Sequence, residues 1–367
     1  MVTVGGVTRL TRSGLSMTDW KLQGSLPPLN EAEWEAEFAR YKQFPEYQQR
    51  QHQGMTLDDF KYIFWWEYGH RMLGRALGVV YGAPLLYFAA RGALPRHIRG
   101  RAAALLALGA AQGLVGWWMV KSGLHEGTLA RLRGAGGGEG EGGERVQIRV
   151  SPYRLAAHLG MAFTTFALLV HTGLDALHGP GAARQVRTCV DVLSLPLARV
   201  LRGAALTTAA LSFVTALSGA FVAGNDAGRA YNTFPRMLPD RWLPVEILEM
   251  EPLWRNFFEN TATVQAVHRA LAMTALGAAV GTFVIARRGQ MGALWVALPA
   301  GARSAQSFVT AVALGQVTLG VSTLLLCVPL PLAAAHQAGA LALLGGGVWS
   351  AHALRFAAAR VARGAIR

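Results

Sequence analysis

The apolar residues of this chain fall in uninterrupted blocks, each about 20 residues long, the length a helix needs to cross a bilayer. The blocks run over 68–90, 101–120, 154–175, 203–223, 262–286, 305–328 and 332–354. In lipid the backbone must satisfy its own polar groups, so such blocks fold as helices. Composition supports this: 52% of residues are hydrophobic and 15% charged, against about 25% charged in a soluble globule. Alanine and glycine fill much of the blocks, which suits close helix packing in lipid. The chain reads as an all-α polytopic membrane protein.

The charge pattern sets its orientation. Lys and Arg number 35 and Asp and Glu 21, a formal excess of +14. In a soluble protein that excess suggests nucleic acid. Here it is confined to alternate connections: Arg91, Arg96, Arg99 and Arg101; Arg184, Arg187, Arg199 and Arg202; Arg287, Arg288 and Arg303; and Arg355, Arg360, Arg363 and Arg367 at the end. Acidic or mixed segments such as 31–59 and 226–259 fall between them. This is the positive-inside pattern. It excludes nucleic acid as a partner, makes membrane lipid the surroundings, and places the loops 121–152 and 224–261 on the side away from the arginines.

Two segments outside the seven blocks carry structure. An apolar scrap, Val2 to Val7, is too short to span and reads as the tail of a first helix that is largely missing. Within 28–60, Trp34, Phe38 and Tyr41 recur at helical spacing and predict an amphipathic helix. Thr56 and Asp59 form a capping-box pattern just before the aromatic run Phe60 to Trp66, so the next helix starts there and runs on into the first whole span. The glycine-rich stretch 134–144 is low-complexity.

The chain also repeats itself. Gly-His-Arg at 69–71 answers Val-His-Arg at 267–269, QGLVG at 112–116 answers QVTLG at 316–320, and Ala-Ala-His recurs at 156–158 and 334–336. GGVTR near residue 5 loosely answers GAFVAG near residue 219. A repeat of four helices, counting the missing one, returns the chain to the same side, so the halves are parallel copies. The expected division is an N-terminal half at 1–175, a linker at 176–202 and a C-terminal half at 203–367.

Four of the ten histidines fit this frame. His70, His158, His268 and His336 each lie in the first turns of a span that starts on the acidic side, two in each half. An ionisable side chain inside a span is costly and rarely faces lipid. Neutral imidazole is a common axial ligand of haem iron, and two from neighbouring helices can grip one haem from opposite faces. A zinc or copper site would recruit Cys, Met or carboxylates nearby, and only Glu67 qualifies. His52, His97, His125, His178 and His352 read as surface residues. Arg71 and Arg269 directly follow two of the ligands, where they can pair with haem propionates or snorkel to the interface. Trp65, Trp66, Trp117 and Trp118 mark the same rim as an aromatic belt. Glu67 lies three residues before His70, on the same helical face. It serves either as an interfacial carboxylate or as a group that acts on substrate.

The motifs GGVTRLT (5–11), SGLSMTDW (13–20), EWEAEF (33–38), QFPEY (43–47), EYGHR (67–71), YRLAAHLG (153–160), ALSGAFVAG (216–224), YNTFP (231–235) and AAAHQ (333–337) resemble the heme A synthase family, in its mitochondrial and alpha-proteobacterial class. The resemblance covers nearly the whole chain. It implies eight helices in two four-helix bundle repeats, and oxidation of a methyl group of haem O to the formyl group of haem A for cytochrome c oxidase. It implies that His70 and His158 bind the substrate haem O, that His268 and His336 hold a resident low-spin haem b, and that Glu67 is the catalytic carboxylate. The implied partners are haem O synthase as substrate donor and a ferredoxin with its reductase as electron source; a homo-oligomer is left open. The implied location is the mitochondrial inner membrane, with the alpha-proteobacterial plasma membrane as the alternative. The chain departs from the family in its nearly absent first helix. The cysteine pair of the Bacillus-like class is also absent, which fits the mitochondrial class.

Two rival readings use the same features. A di-haem cytochrome that only passes electrons would need the four histidines but not Glu67. A transporter built on repeats would carry helix breakers at matched midplane positions, whereas the polar residues here cluster at the rim.

Overall fold

The computed structural model describes residues 1–17, 23–44, 46–47, 54–124, 150–186, 195–288 and 292–364. Its long elements are helices α1 (Val2–Leu10), α2 (Glu31–Tyr41), α3 (Leu57–Ala90), α4 (Arg96–Leu124), α5 (Pro152–Val186), α6 (Leu195–Gly224), α7 (Thr261–Arg288), α8 (Ala300–Leu325) and α9 (Leu330–Gly364). Among the described residues there is no strand. Six helices are long and apolar enough to cross a membrane: Leu57–Ala90, Arg96–Gly123, Pro152–His178, Arg199–Gly224, Thr261–Arg288 and Ala300–Leu325. The protein is thus an all-α, multi-pass membrane protein. The expected seventh span forms as α9, which is long enough but is not among the six. Its His336, Gln337 and His352 and the run Gly345 to Gly347 dilute its apolar character.

Backbone contacts divide the chain into two units, one of Met1–Ala90 with Leu106–His158 and the other of Arg91–Leu105 with Leu159–Arg367. In the first unit the amphipathic helix forms as expected. Asn30 caps α2, its side chain accepting from the Glu33 amide at 2.9 Å while Glu33 accepts from the Leu29 amide. Trp34, Phe38 and Tyr41 then bury one face against Phe60, Ile63 and Phe64 of α3. The rings meet edge-on and stacked, with Phe38 and Phe60 5.1 Å apart; such pairs add about 0.5–1.5 kcal/mol each beyond area burial. The Thr56–Asp59 capping box closes reciprocally, amide to carboxylate at 2.9 Å and amide to hydroxyl at 3.2 Å. α3 then runs unbroken for 34 residues. This cluster fixes the rim end of α3, where Glu67 and His70 stand.

In the second unit α6, α7, α8 and α9 each pack on two of the others, in the ring α6–α7–α8–α9–α6, a four-helix bundle. Small residues allow the close approach: Ala205, Ala279, Ala302, Ala305 and Ala313 are buried, and a Cβ on Gly347 would lie 3.0 Å from that of Ala209. Buried polar groups pair across helices, Gln306 donating to Ser350 and Thr208 meeting Thr282 at 3.3 Å.

One reading of the histidines is overturned here. His352 is not a surface residue but 4% exposed, with Nε2 3.0 Å from Asp175. Asp175, itself 6% exposed, also takes an ion pair from Arg101. His171, which the sequence did not single out, lies 2.7 Å from the same arginine. A buried carboxylate must be paired, and this one draws its partners from α4, α5 and α9. His97 and His178 are exposed as expected. His52, His125, the stretch 134–144 and most of the loop 121–152 lie outside the described residues, as does 187–194 of the expected linker.

Candidate functional site

The four histidines share one local construction. Each ring turns its Cε1 edge towards a glycine of an earlier helix: His70 of α3 on Gly5 of α1, His158 of α5 on Gly116 of α4, His268 of α7 on Gly219 of α6, and His336 of α9 on Gly320 of α8. A Cβ at these glycines would meet the ring carbon Cε1 at 2.7, 3.0, 3.2 and 2.9 Å respectively. Only a residue without a side chain leaves room for the ring there. The seats lie in the repeated segments GGVTR, QGLVG, GAFVAG and QVTLG, whose alignment with one another was the signal for them.

A second feature is duplicated. Gln112 donates its amide to the His158 carbonyl at 2.9 Å, and Gln316 donates to the His336 carbonyl at 2.8 Å. Two glutamines, each four residues before a glycine seat, therefore pin the backbone that carries His158 and His336.

The imidazoles come together by pairs. His70 and His158 lie within electrostatic range of each other in the first unit, and His268 and His336 do so in the second. All four are partly buried. In each pair one ring is fixed through Nδ1, His158 by Gln112 at 3.2 Å and His268 by Ser218 at 2.7 Å. The other ring has a buried Nδ1 with no hydrogen-bond partner, in His70 and in His336. Among the described residues no three His, Cys, Asp or Glu side chains gather as an ion-binding cluster. Two partly buried imidazoles per pair, one of them oriented by a hydrogen bond at Nδ1, fit a haem, whose iron takes nitrogen ligands.

Glu67 is the group that separates the pairs. It is 3% exposed. One oxygen accepts from the Ser16 hydroxyl at 2.7 Å and the Met17 amide at 2.8 Å; the other accepts from Arg71, one helical turn on. The 13–17 segment folds back onto α3 to supply two of these donors; residues 18–20 of the same motif lie outside the described residues. Arg71 also donates to the Met17 carbonyl at 3.1 Å, so its guanidinium is engaged with the carboxylate and the loop. Arg269 donates to the carbonyls of Tyr231 and Thr233 at 2.7 and 2.9 Å and to Gln265 at 2.9 Å. Of the belt residues, Trp65, Trp117 and Trp118 are exposed; Lys121 lies over Trp117 and Arg154 over Trp118.

Sequence comparison supplies the family. A family model described as COX15-CtaA, cytochrome oxidase assembly protein, matches residues 1–346. Heme A synthase COX15 of Arabidopsis thaliana is 48% identical over 351 residues, covering 94% of this chain and 69% of the plant protein. Heme A synthase COX15 of Homo sapiens is 44% identical, covering 96% of this chain and 79% of the human one. Heme A synthase of Nitrosospira multiformis is 42% identical, covering 97% and 89%. With matches that run over nearly its whole length, this multi-pass membrane protein belongs to the heme A synthase family and is an enzyme.

Proposed function

We propose that the protein oxidises the methyl group of haem O to the formyl group of haem A, with His70 and His158 as ligands of the substrate haem O and His268 and His336 as ligands of a resident haem b. The observation that carries this reading is Glu67: a buried carboxylate, gripped by three donors, beside the histidine pair of one unit only. An electron-transfer cytochrome has no use for it. His268 and His336 would hold haem b, which when bound would supply one-electron transfer.

The chain's own residues then divide the work. The glycine seats and the Gln112 and Gln316 contacts hold the ligand imidazoles in place. Glu67 supplies a fixed negative charge next to the substrate site, where a methyl carbon that loses hydrogen and electrons becomes electron-poor. It stabilises that positive charge or takes a proton from the attacking water. Arg71 holds the carboxylate from one side, and Ser16 with the Met17 amide holds it from the other. Arg71 and Arg269 would also pair with haem propionates. In this reading residues 1–175 form the substrate half and 203–367 the cofactor half. The surroundings are the mitochondrial inner membrane, haem O synthase delivers the substrate, a ferredoxin with its reductase is the electron source, and a terminal oxidant takes up those electrons together with the ones the methyl group loses.

The test is extraction of pigments from the purified protein with chromatographic haem typing. Haem b together with haem O or haem A is expected; haem b alone would leave the protein a cytochrome.

A further inference from the structure

The duplicated frame puts Gln265 where the other half has Glu67: each stands three residues before a histidine ligand and four before an arginine. The structure makes the correspondence physical. Gln265 is 2% exposed, accepts from Arg269 at 2.9 Å as Glu67 accepts from Arg71, and turns its other end towards the loop that follows the seat-bearing helix. There the polarity is reversed. Glu67 faces the Met17 N–H at 2.8 Å, whereas Gln265 donates its own N–H to the Ala227 carbonyl at 2.7 Å.

A carboxylate has only acceptors, and an amide has an acceptor at one end and donors at the other. The position-67 pocket offers donors on both sides. The position-265 pocket offers a donor on one side and an acceptor on the other, so an amide satisfies it and a carboxylate sets oxygen against oxygen. We infer that Gln265 is a specificity-determining residue: the Ala227 carbonyl and Arg269 select a neutral amide there, and this neutrality keeps the His268–His336 pair a holding site while the His70–His158 pair carries a charge that acts on substrate. The inference rests on the reading that His268 and His336 hold the resident haem.

Gln265→Glu and Gln265→Met in the full chain, with low-spin haem content and the haem midpoint potential measured for each, test it. A negative charge near the iron favours the ferric state and lowers the potential. Gln265→Glu is therefore expected to shift the potential downwards while Gln265→Met leaves it near that of the parent. Loss of haem from Gln265→Glu with retention in Gln265→Met supports the inference equally, because the neutral residue then suffices. An unshifted potential in haem-replete Gln265→Glu overturns it, as do equal shifts or equal haem losses in both variants, which would make the residue merely structural. If the unsubstituted protein carries no low-spin haem, the reading of the histidines fails first and takes this inference with it.

Discussion

The His70–His158 and His268–His336 pairs share their glycine seats and glutamine contacts and differ in which ring is fixed through Nδ1 and in the group that adds charge. Both have glycine seats, a glutamine on the ligand's carbonyl and an arginine directly after the first histidine. Only the first has Glu67, and the second has Gln265 in its place. On the proposed reading the shared features serve to hold a haem, and the carboxylate serves the chemistry. The loops were adjusted with the side chains, an amide N–H for the carboxylate and a carbonyl for the amide, so exchanging one residue alone does not convert one site into the other. This also bears on Glu67→Gln. The amide nitrogen of the variant would face the Met17 N–H or the Arg71 guanidinium, each a donor, and only the Ser16 hydroxyl can turn to accept from it. A stability cost of about 1–3 kcal/mol is expected for the unsatisfied group, alongside any effect on the reaction.

The largest expected effect comes from removing a ligand. His268→Ala or His336→Ala should abolish the low-spin spectrum of the resident haem, while His70→Ala or His158→Ala should spare that spectrum and disturb the substrate haem. A normal low-spin spectrum in either C-terminal variant would break the division between the pairs. Smaller effects should follow from filling the seats. Gly5→Ala puts a methyl group 2.7 Å from His70, and Gly219→Ala puts one 3.2 Å from His268. Overpacking of this kind costs about 1–3 kcal/mol, and the tighter seat should pay more. Haem retention on dilution or heating should fall further in Gly5→Ala than in its parent for the N-terminal site, and by less in Gly219→Ala for the C-terminal one. Equal retention in all would remove the glycines from the account. Labelling leaves the activity least changed and asks only about orientation: the loops 121–152 and 224–261 should react from the intermembrane side, and labelling of either from the arginine side would reverse the topology.

Much of this architecture was legible because lipid imposes a simple code. Apolar length marked the helices, and matched motifs marked the duplication. The helix with Trp34, Phe38 and Tyr41 could be read from spacing alone, since its three anchors lie on one face. The residues missed were those whose role depends on a distant partner. Gly5, Gly116, Gly219 and Gly320 sat inside the aligned repeats, but a glycine in an alanine- and glycine-rich helix carries no mark of the ring packed against it. Gln265 stands three residues before His268 as openly as Glu67 before His70, yet without the loop geometry it reads as another interfacial polar group. His352 looked exposed because it lies near the end of a span; the carboxylate that buries it, Asp175, is 177 residues away.

The central claim, that one carboxylate makes the first histidine pair a reaction site, is tested most directly by haem typing of membranes carrying Glu67→Gln. Losing a fixed charge aimed at a transition state costs on the order of 3 kcal/mol, about a hundredfold in rate. The account predicts that the low-spin haem of the second pair stays while haem O or a partly hydroxylated haem accumulates and haem A falls about a hundredfold in rate of formation. Haem A formed at the parental rate would contradict it and leave Glu67 an interfacial residue paired with Arg71.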